Sequence, residues 1–243
     1  MGGEVIPIFI GYDRVESVAY HVLSHSIISR SSQPVSITPI NQKNLKRQYW
    51  RPRGEYDSNE FSISRWLVPH LMGYQGWAIW MDCDMLCLGD IADLWAQKDE
   101  RFAIMVKKHD HQPTEDIKFL GQKQTKYRRK NWSSLVMFNC RRCLPLTKHI
   151  VNTSPGLWLH QFDWLEDEDI GAIEGDWNLL VGYNERVKDP KLVHYTTLGP
   201  WHDMDGTTPI DYREEWTKEL DDMIAGDNPV KWWEGHASSS IIR

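Results

Sequence analysis

The chain has 243 residues and a mass of 28.5 kDa, with 41% hydrophobic and 26% charged residues. That balance excludes a disordered chain, a collagen-like chain and a small disulfide scaffold, and it allows one sizeable core. The formal charge of −6, from 28 Lys and Arg against 34 Asp and Glu, argues against nucleic acid as the main partner.

Taken in chain order, Met1-Gly2-Gly3-Glu4 carries no charged lead, and the apolar run Val5 to Ile10 is too short for a signal core or a membrane span. With only Cys83, Cys87, Cys140 and Cys143, the expectation is a cytoplasmic protein with reduced thiols. The run Val5 to Ile10 reads as a buried strand ended by Gly11. Val15, Val18, Ala19, Val22, Leu23 and Ile27 then recur at helical spacing, and Val35 to Ile40 is a β-branched run between prolines. Strand, helix and strand at this spacing predict a parallel pair and an α/β fold. Residues 41–60 are polar and irregular.

Ile63, Trp66, Leu67, His70 and Leu71 keep helical spacing, although Pro69 interrupts that helix, and Gly73 could end it. Ala78 to Met81 is a third strand running straight into Asp82-Cys83-Asp84. A helical turn follows at Ile91 to Trp95, then strands at Phe102 to Val106 and Leu135 to Phe138. The hydrophilic segment from His109 to Lys130 separates those two strands and has the length of a lid or binding loop. A short extended piece at Val193 to Tyr195 comes next, and Trp216, Leu220, Met223 and Ile224 mark an amphipathic helix stopped by Gly226. No repeat or linker divides the chain, so 1–243 is expected to be one domain, with 203–243 a C-terminal helical extension.

Asp82-Cys83-Asp84 is the strongest chemical signal. Two carboxylates alternate at the end of a dry strand, in the crevice where parallel sheets bind ligands. They repel one another unless a cation lies between them, and a hard divalent ion with oxygen ligands is the natural partner. A pair of solvated loop aspartates is the plain alternative; Asp167-Glu168-Asp169 and Asp203-Met204-Asp205 repeat the pattern without a buried strand before it.

Arg65-Trp66-Leu67-Val68-Pro69, then Trp80-Met81-Asp82-Cys83-Asp84, then Asp90-Ile91-Ala92-Asp93-Leu94-Trp95 resembles the core of family 8 glycosyltransferases. That family shows Arg-Phe-x-x-Pro, Tyr-Leu-Asp-x-Asp and Asp-Leu-x-x-Leu-Trp in the same order. Downstream, Trp177-Asn178 resembles the family's Trp-Asn, and His194-Tyr195-Thr196-Thr197-Leu198-Gly199-Pro200-Trp201 looks like its His-Phe-x-Gly-x-x-Lys-Pro-Trp. The resemblance spans about residues 5–203.

It implies a GT-A fold, with a Rossmann-like, mixed but mainly parallel sheet flanked by helices. It also implies a retaining transfer from a nucleotide-sugar, most simply a UDP-sugar, to a carbohydrate, lipid-linked or protein acceptor. Asp82, Asp84 and His194 would be ligands of Mn²⁺ or Mg²⁺, the imidazole favouring Mn²⁺. Tyr12, Asp13 and Arg65 would meet the donor's base, ribose and phosphates, with Asp82 and Cys83 beside them. Trp132, Ser133, Ser134 and Trp201 would border the sugar and phosphates. Gln161, after His160, would support the reacting sugar, with Asp163 as the nearby alternative.

The chain departs from the family in two places. Gly199 stands in the slot of the family's Lys, so cations within 123–130 would have to fold over the site instead. Ser133-Ser134-Leu135 replaces the family's Asn-Ser-Gly. Two other readings stay open: a weakened nucleotide-sugar or carbohydrate-binding protein of the same fold, and a phosphotransferase of the haloacid dehalogenase type, in which Asp82 would be the nucleophile. The pairs Cys83/Cys87 and Cys140/Cys143 have zinc-like spacing but read as four buried thiols. His21 and His25, one helical turn apart, have no third ligand, and His109-Asp110-His111 reads as solvated.

Overall fold

A computed structural model describes residues 4–54, 57–110 and 128–225. The opening apolar run forms β1 (Ile6–Gly11), the first amphipathic stretch α1 (Ser17–Arg30), and the β-branched run β2 (Val35–Ile40). β1 and β2 pair in parallel, with Ile6 opposite Val35 and Gly11 opposite Ile40. Pro39 is tolerated because β2 lies at the edge of its sheet, where one row of backbone groups has no strand partner.

Further along come α2 (Val68–Leu71), β3 (Trp77–Met81), β4 (Met85–Cys87), α3 (Ile91–Trp95), β5 (Ile104–Val106) and β6 (Leu135–Asn139). The remainder is α4 (Lys148–Thr153), α5 (Gly156–His160), β7 (Ile170–Ala172), β8 (Leu179–Leu180), β9 (Leu192–His194) and α6 (Arg213–Ala225). A six-stranded sheet has the order β2-β1-β3-β6-β5-β7. Its β1–β2, β1–β3 and β5–β7 pairings are parallel, whereas β6 runs antiparallel to both β3 and β5. A second, three-stranded sheet has the order β4-β9-β8. The fold is thus mixed α/β and mainly parallel in its central sheet.

The helix expected over 63–71 divides in two. Residues Ser64–Leu67 make a tight 3-10 turn, and α2 then starts with Pro69 in its first turn. A proline there removes only an N–H that the helix would leave unbonded. Gly11 permits the close approach of the next segment. A Cβ at that position would lie 2.4 Å from the Phe61 ring, so only glycine lets Phe61, and with it Arg65, close over the end of β1.

The larger core is built on β1, β3 and β6 and includes Trp66, Trp80, Phe138 and Phe162. Trp66 is fully buried, with edge-on contacts to Phe138, Phe162 and Trp164. A smaller core gathers Leu86, Val193, Tyr195, Trp201, Trp216 and Leu220 beneath α6. Buried Glu219 of α6 binds His25 and Arg30 of α1, at 2.5 and 2.6 Å, and holds the two helices together. The four cysteines are free and buried, as expected in spite of their zinc-like spacing. Gly226 and the rest of 226–243 lie outside the described residues.

Candidate metal centre

β3 carries the chain out of the large sheet at Met81, and β4 enters the small sheet at Met85. Asp82 and Asp84 occupy the link between them. The Asp82 amide donates to the Ser134 carbonyl at 3.0 Å, which continues the large-sheet side. The Asp84 carbonyl accepts from the Tyr195 amide at 2.9 Å, which begins the small-sheet side. β4 pairs antiparallel with β9, and that register sets Met85 opposite His194. One oxygen from each aspartate and one ring nitrogen of His194 thereby lie within 4.8 Å of one another. The three residues singled out in the sequence as metal ligands do converge.

Two of the three, Asp82 and His194, are held from behind. Asp82 is buried, and its Oδ1 takes an ion pair from Arg65 Nη1 at 2.7 Å and a hydrogen bond from Trp80 Nε1 at 3.0 Å. Burial pushes the Asp82 carboxyl up to about 6, against the pull of Arg65. His194 Nδ1 is 3.0 Å from Asn178 Oδ1, and Asn178 Nδ2 donates to Ser134 Oγ at 2.9 Å. Ser134 Oγ donates onward to the Asn131 carbonyl at 2.7 Å. The direction of this chain assigns the donors: with its NH₂ on Ser134, Asn178 offers only its oxygen to the imidazole. Nδ1 is therefore the protonated nitrogen of neutral His194, and Nε2 presents its lone pair toward Asp84, 3.3 Å away. Burial disfavours the charged imidazole, but the Asp84 carboxylate, with Asp82, raises its proton affinity above the ordinary range.

The donor set fits a divalent cation. Asp84 Oδ1 is buried and has no hydrogen-bond partner among the described residues. Two carboxylates and a neutral imidazole, with supporting contacts behind Asp82 and His194, form an oxygen-rich set with one borderline nitrogen.

Other residues singled out in the sequence serve different contacts. Arg65 is buried; besides Asp82 its guanidinium bonds the Ser62 and Ser133 carbonyls, at 2.9 and 2.8 Å. It braces Asp82 from behind and is no surface salt bridge. Asp13 is buried and accepts from the Val15 and Glu60 amides, at 3.1 and 2.9 Å. Tyr12 is half-buried and stands edge-on to Tyr20. Cys83 turns to the other side of the strand from the aspartates, as its alternation requires, and its Sγ lies 3.7 Å from Glu16. Glu16 in turn is 3.7 Å from His202, an acid–imidazole pair that the sequence alone did not mark.

Ser133 Oγ is 3.0 Å from His160 Nδ1, which ties the end of α5 to the Arg65 side of the centre. Gln161 is half-buried there, with its main-chain carbonyl accepting from Arg129 at 2.6 Å. Asp163 does not join the cluster; it is exposed and pairs with Arg128 at 2.8 Å. Trp132 is half-buried and donates to the His109 carbonyl at 2.9 Å. Trp201 is buried in the smaller core, between Tyr195 and Trp216.

Gly199 has a steric explanation. A Cβ there would sit 2.1 Å from the Trp201 indole, so the slot compared with the family lysine has no room for any side chain. Nor do the described cations of the expected lid stand open over the centre. Arg128 pairs with Asp163, Arg129 bonds the Gln161 and Phe162 carbonyls and Asp167, and Lys130 is buried. Residues 123–127 and His111 lie outside the described residues. Asn178 is the residue of the candidate site that the sequence underplayed. Its Trp-Asn context was visible, but nothing local showed that its amide sets the tautomer of a histidine.

No protein-family profile matches the chain. Protein CDI of Arabidopsis thaliana is 48% identical over 224 residues, covering 88% of this chain and 86% of its own. Among solved structures, the chain is similar to the WbbM bifunctional glycosyltransferase in its apo form, with a TM-score of 0.64 and 12% identity over 96% of this chain. It spans about half of that protein, 52%. It is also similar to apo GlyE, a glycosyltransferase of Streptococcus pneumoniae TIGR4, with a TM-score of 0.59 and 14% identity over 96% of this chain and 64% of that one. The galactosyltransferase LgtC, solved with donor and acceptor sugar analogues, gives a TM-score of 0.58 and 12% identity over 95% of this chain and 99% of its own. At such identities the likeness is one of fold, and the fold is that of GT-A glycosyltransferases.

Proposed function

The chain belongs to the family of Protein CDI, and on that footing we propose that it is a metal-dependent retaining glycosyltransferase of the family 8 type. It moves a sugar from a nucleotide-sugar, a UDP-sugar in the first instance, to a carbohydrate, lipid-linked or protein acceptor. The observation that carries this reading is the convergence of Asp82, Asp84 and His194 within 4.8 Å on a glycosyltransferase fold. The four free, buried thiols support a reducing compartment such as the cytoplasm.

Asp82, Asp84 and His194 would hold Mn²⁺ or Mg²⁺. Such an ion, when bound, supplies positive charge that offsets the charge growing on a departing diphosphate. The chain's own residues prepare this. Arg65 keeps Asp82 oriented, and Asn178 keeps the Nε2 lone pair of His194 turned to the site. Tyr12 and Asp13, at the end of β1, border the nucleotide side. Gln161 supports the positive sugar through its amide oxygen, and Ser133 and His160 keep its loop beside Arg65. Asp163, engaged with Arg128, is the weaker candidate for that role.

The test is thermal melting of the full chain with Mn²⁺ and a panel of UDP-sugars, followed by assay of UDP release and of the product's anomeric configuration. Stabilisation that needs both components, with retained configuration, is expected. Absence of any stabilisation and of any UDP release overturns the reading. A second reading, a nucleotide-sugar-binding protein without turnover, is favoured by Gly199, whose slot Trp201 closes to a phosphate-binding side chain. Donor binding without transfer would select it. The phosphotransferase alternative draws no support from a GT-A fold.

A further inference from the structure

Between Asn41 and Gly54 the chain carries Lys43, Lys46, Arg47, Arg51 and Arg53 and no acidic residue, although its overall charge is −6. No carboxylate among the described residues pairs with any of the five. Leu45 and Tyr49 are buried, one helical step apart, and turn Lys46, Arg47 and Trp50 outward. Trp50 is 52% exposed.

This surface is built rather than loose. Asn152 is buried in α4, and its Oδ1 accepts from the Trp50 and Arg51 amides at 2.7 and 3.0 Å. Its Nδ2 donates to the Gln48 and Lys148 carbonyls, at 3.0 and 2.7 Å, which brings half-buried Lys148 to the same face. The Arg51 guanidinium bonds the Ser154 carbonyl and lies against Gly156, whose neighbour Leu157 is 47% exposed. Beyond the segment, the Glu60 amide donates to Asp13, just after β1.

We infer that this face docks on an anionic phospholipid bilayer, with Trp50 and Leu157 entering the headgroup boundary and the surrounding Lys and Arg meeting the lipid phosphates and carboxylates. An indole flanked by cations is suited to that boundary, where its flat apolar body and its N–H find different surroundings. Unpaired basic side chains are drawn to an anionic leaflet and lose that attraction in salt. A nucleic acid fits less well, because it gives an exposed aliphatic Leu157 nothing to enter. The inference does not depend on the glycosyltransferase reading.

Flotation of the full chain with vesicles tests it, using phosphatidylcholine alone and phosphatidylcholine mixed with phosphatidylserine. The chain should float with the mixed vesicles and not with the neutral ones, and high salt should release it. Lys46→Glu with Arg47→Glu should lower the bound fraction at least about tenfold. Trp50→Ser should weaken binding several-fold. Soluble phosphoserine should not displace the protein, because the attraction is to a charged surface. All three side chains are exposed, so melting temperatures should match the wild type; if the double Glu variant unfolds, Lys46→Ala with Arg47→Ala carries the same test. Failure of the wild type to float with the mixed vesicles overturns the inference. So does equal flotation of the charge variants, or binding of an RNA oligonucleotide in place of vesicles. The melting response to Mn²⁺ and UDP-sugars should be unchanged in these variants, which keeps this result separate from the test of transfer.

Discussion

The two sheets are built differently, and the candidate metal centre lies on the seam between them. The six-stranded sheet rests on β1, β3 and β6, strands of five or six residues that are almost wholly buried. The three-stranded sheet consists of strands of two or three residues, and its central strand pairs residues about a hundred positions apart. Asp82 is bonded to the first sheet's side, and Asp84 and His194 belong to the second. The large sheet therefore supplies stability and one candidate ligand, while the small sheet supplies the other two and sets their geometry. Damage to the first should unfold the protein; damage to the second should spare the fold and cost the site.

The largest expected effect falls on the large sheet. Trp66→Ala removes a fully buried indole packed against three aromatic rings and should cost about 3–5 kcal/mol, read by chemical denaturation. A loss near zero would mean that the large core does not carry the fold.

Next, Asp84→Asn should lower Mn²⁺ affinity at least about 100-fold, by titration calorimetry, while the metal-free melting temperature holds or rises. It removes one charge from a crowded acidic group without leaving a cavity. Unchanged Mn²⁺ binding would remove Asp84 from the centre.

A smaller loss is expected from Asn178→Gly. Asn178 has φ of +59°, so Gly keeps the backbone while deleting the amide that orients His194. Mn²⁺ affinity should drop about 10- to 100-fold. A variant that binds as well as the wild type would show that the imidazole needs no such partner.

The smallest effect is that of pH. Asp82 is raised to about 6 in the fold from 3.8, so the folded chain holds that proton more tightly than the unfolded one. Acidification through that window stabilises the metal-free fold, and the advantage is lost as pH rises past 6. His194, also raised, acts in the same sense. A cation needs both groups deprotonated, so Mn²⁺ affinity should rise with pH, about tenfold per unit for each proton released. Melting with and without Mn²⁺ at about pH 5 and about pH 7 should show the stabilisation widening at the higher pH. A constant gap would contradict the assignment of these ligands.

Much of the large sheet was legible because its signals are local. The strand–helix–strand run of β1, α1 and β2 and the dry strand before Asp82 all declare themselves in the periodicity of neighbouring residues. β4 did not, since Met85-Leu86-Cys87 becomes a strand only by pairing with β9. That Arg65 is buried against Asp82 was equally invisible, since Gly11 must first let the Phe61 segment close over β1. The missing lysine at Gly199 has a spatial cause that no local pattern showed, the Trp201 ring filling its slot.

The sequence by itself determined the α/β pattern, the position of two carboxylates at a strand end, and the candidacy of His194 as their partner. Tertiary structure alone decided that the imidazole reaches those carboxylates, which tautomer it adopts and which side chains stand behind each ligand. Alternation of apolar and polar residues fixes which face of an element is buried, and that face is read from a few neighbours. The pairing of distant strands depends instead on how whole faces pack, and no short stretch of chain contains that information.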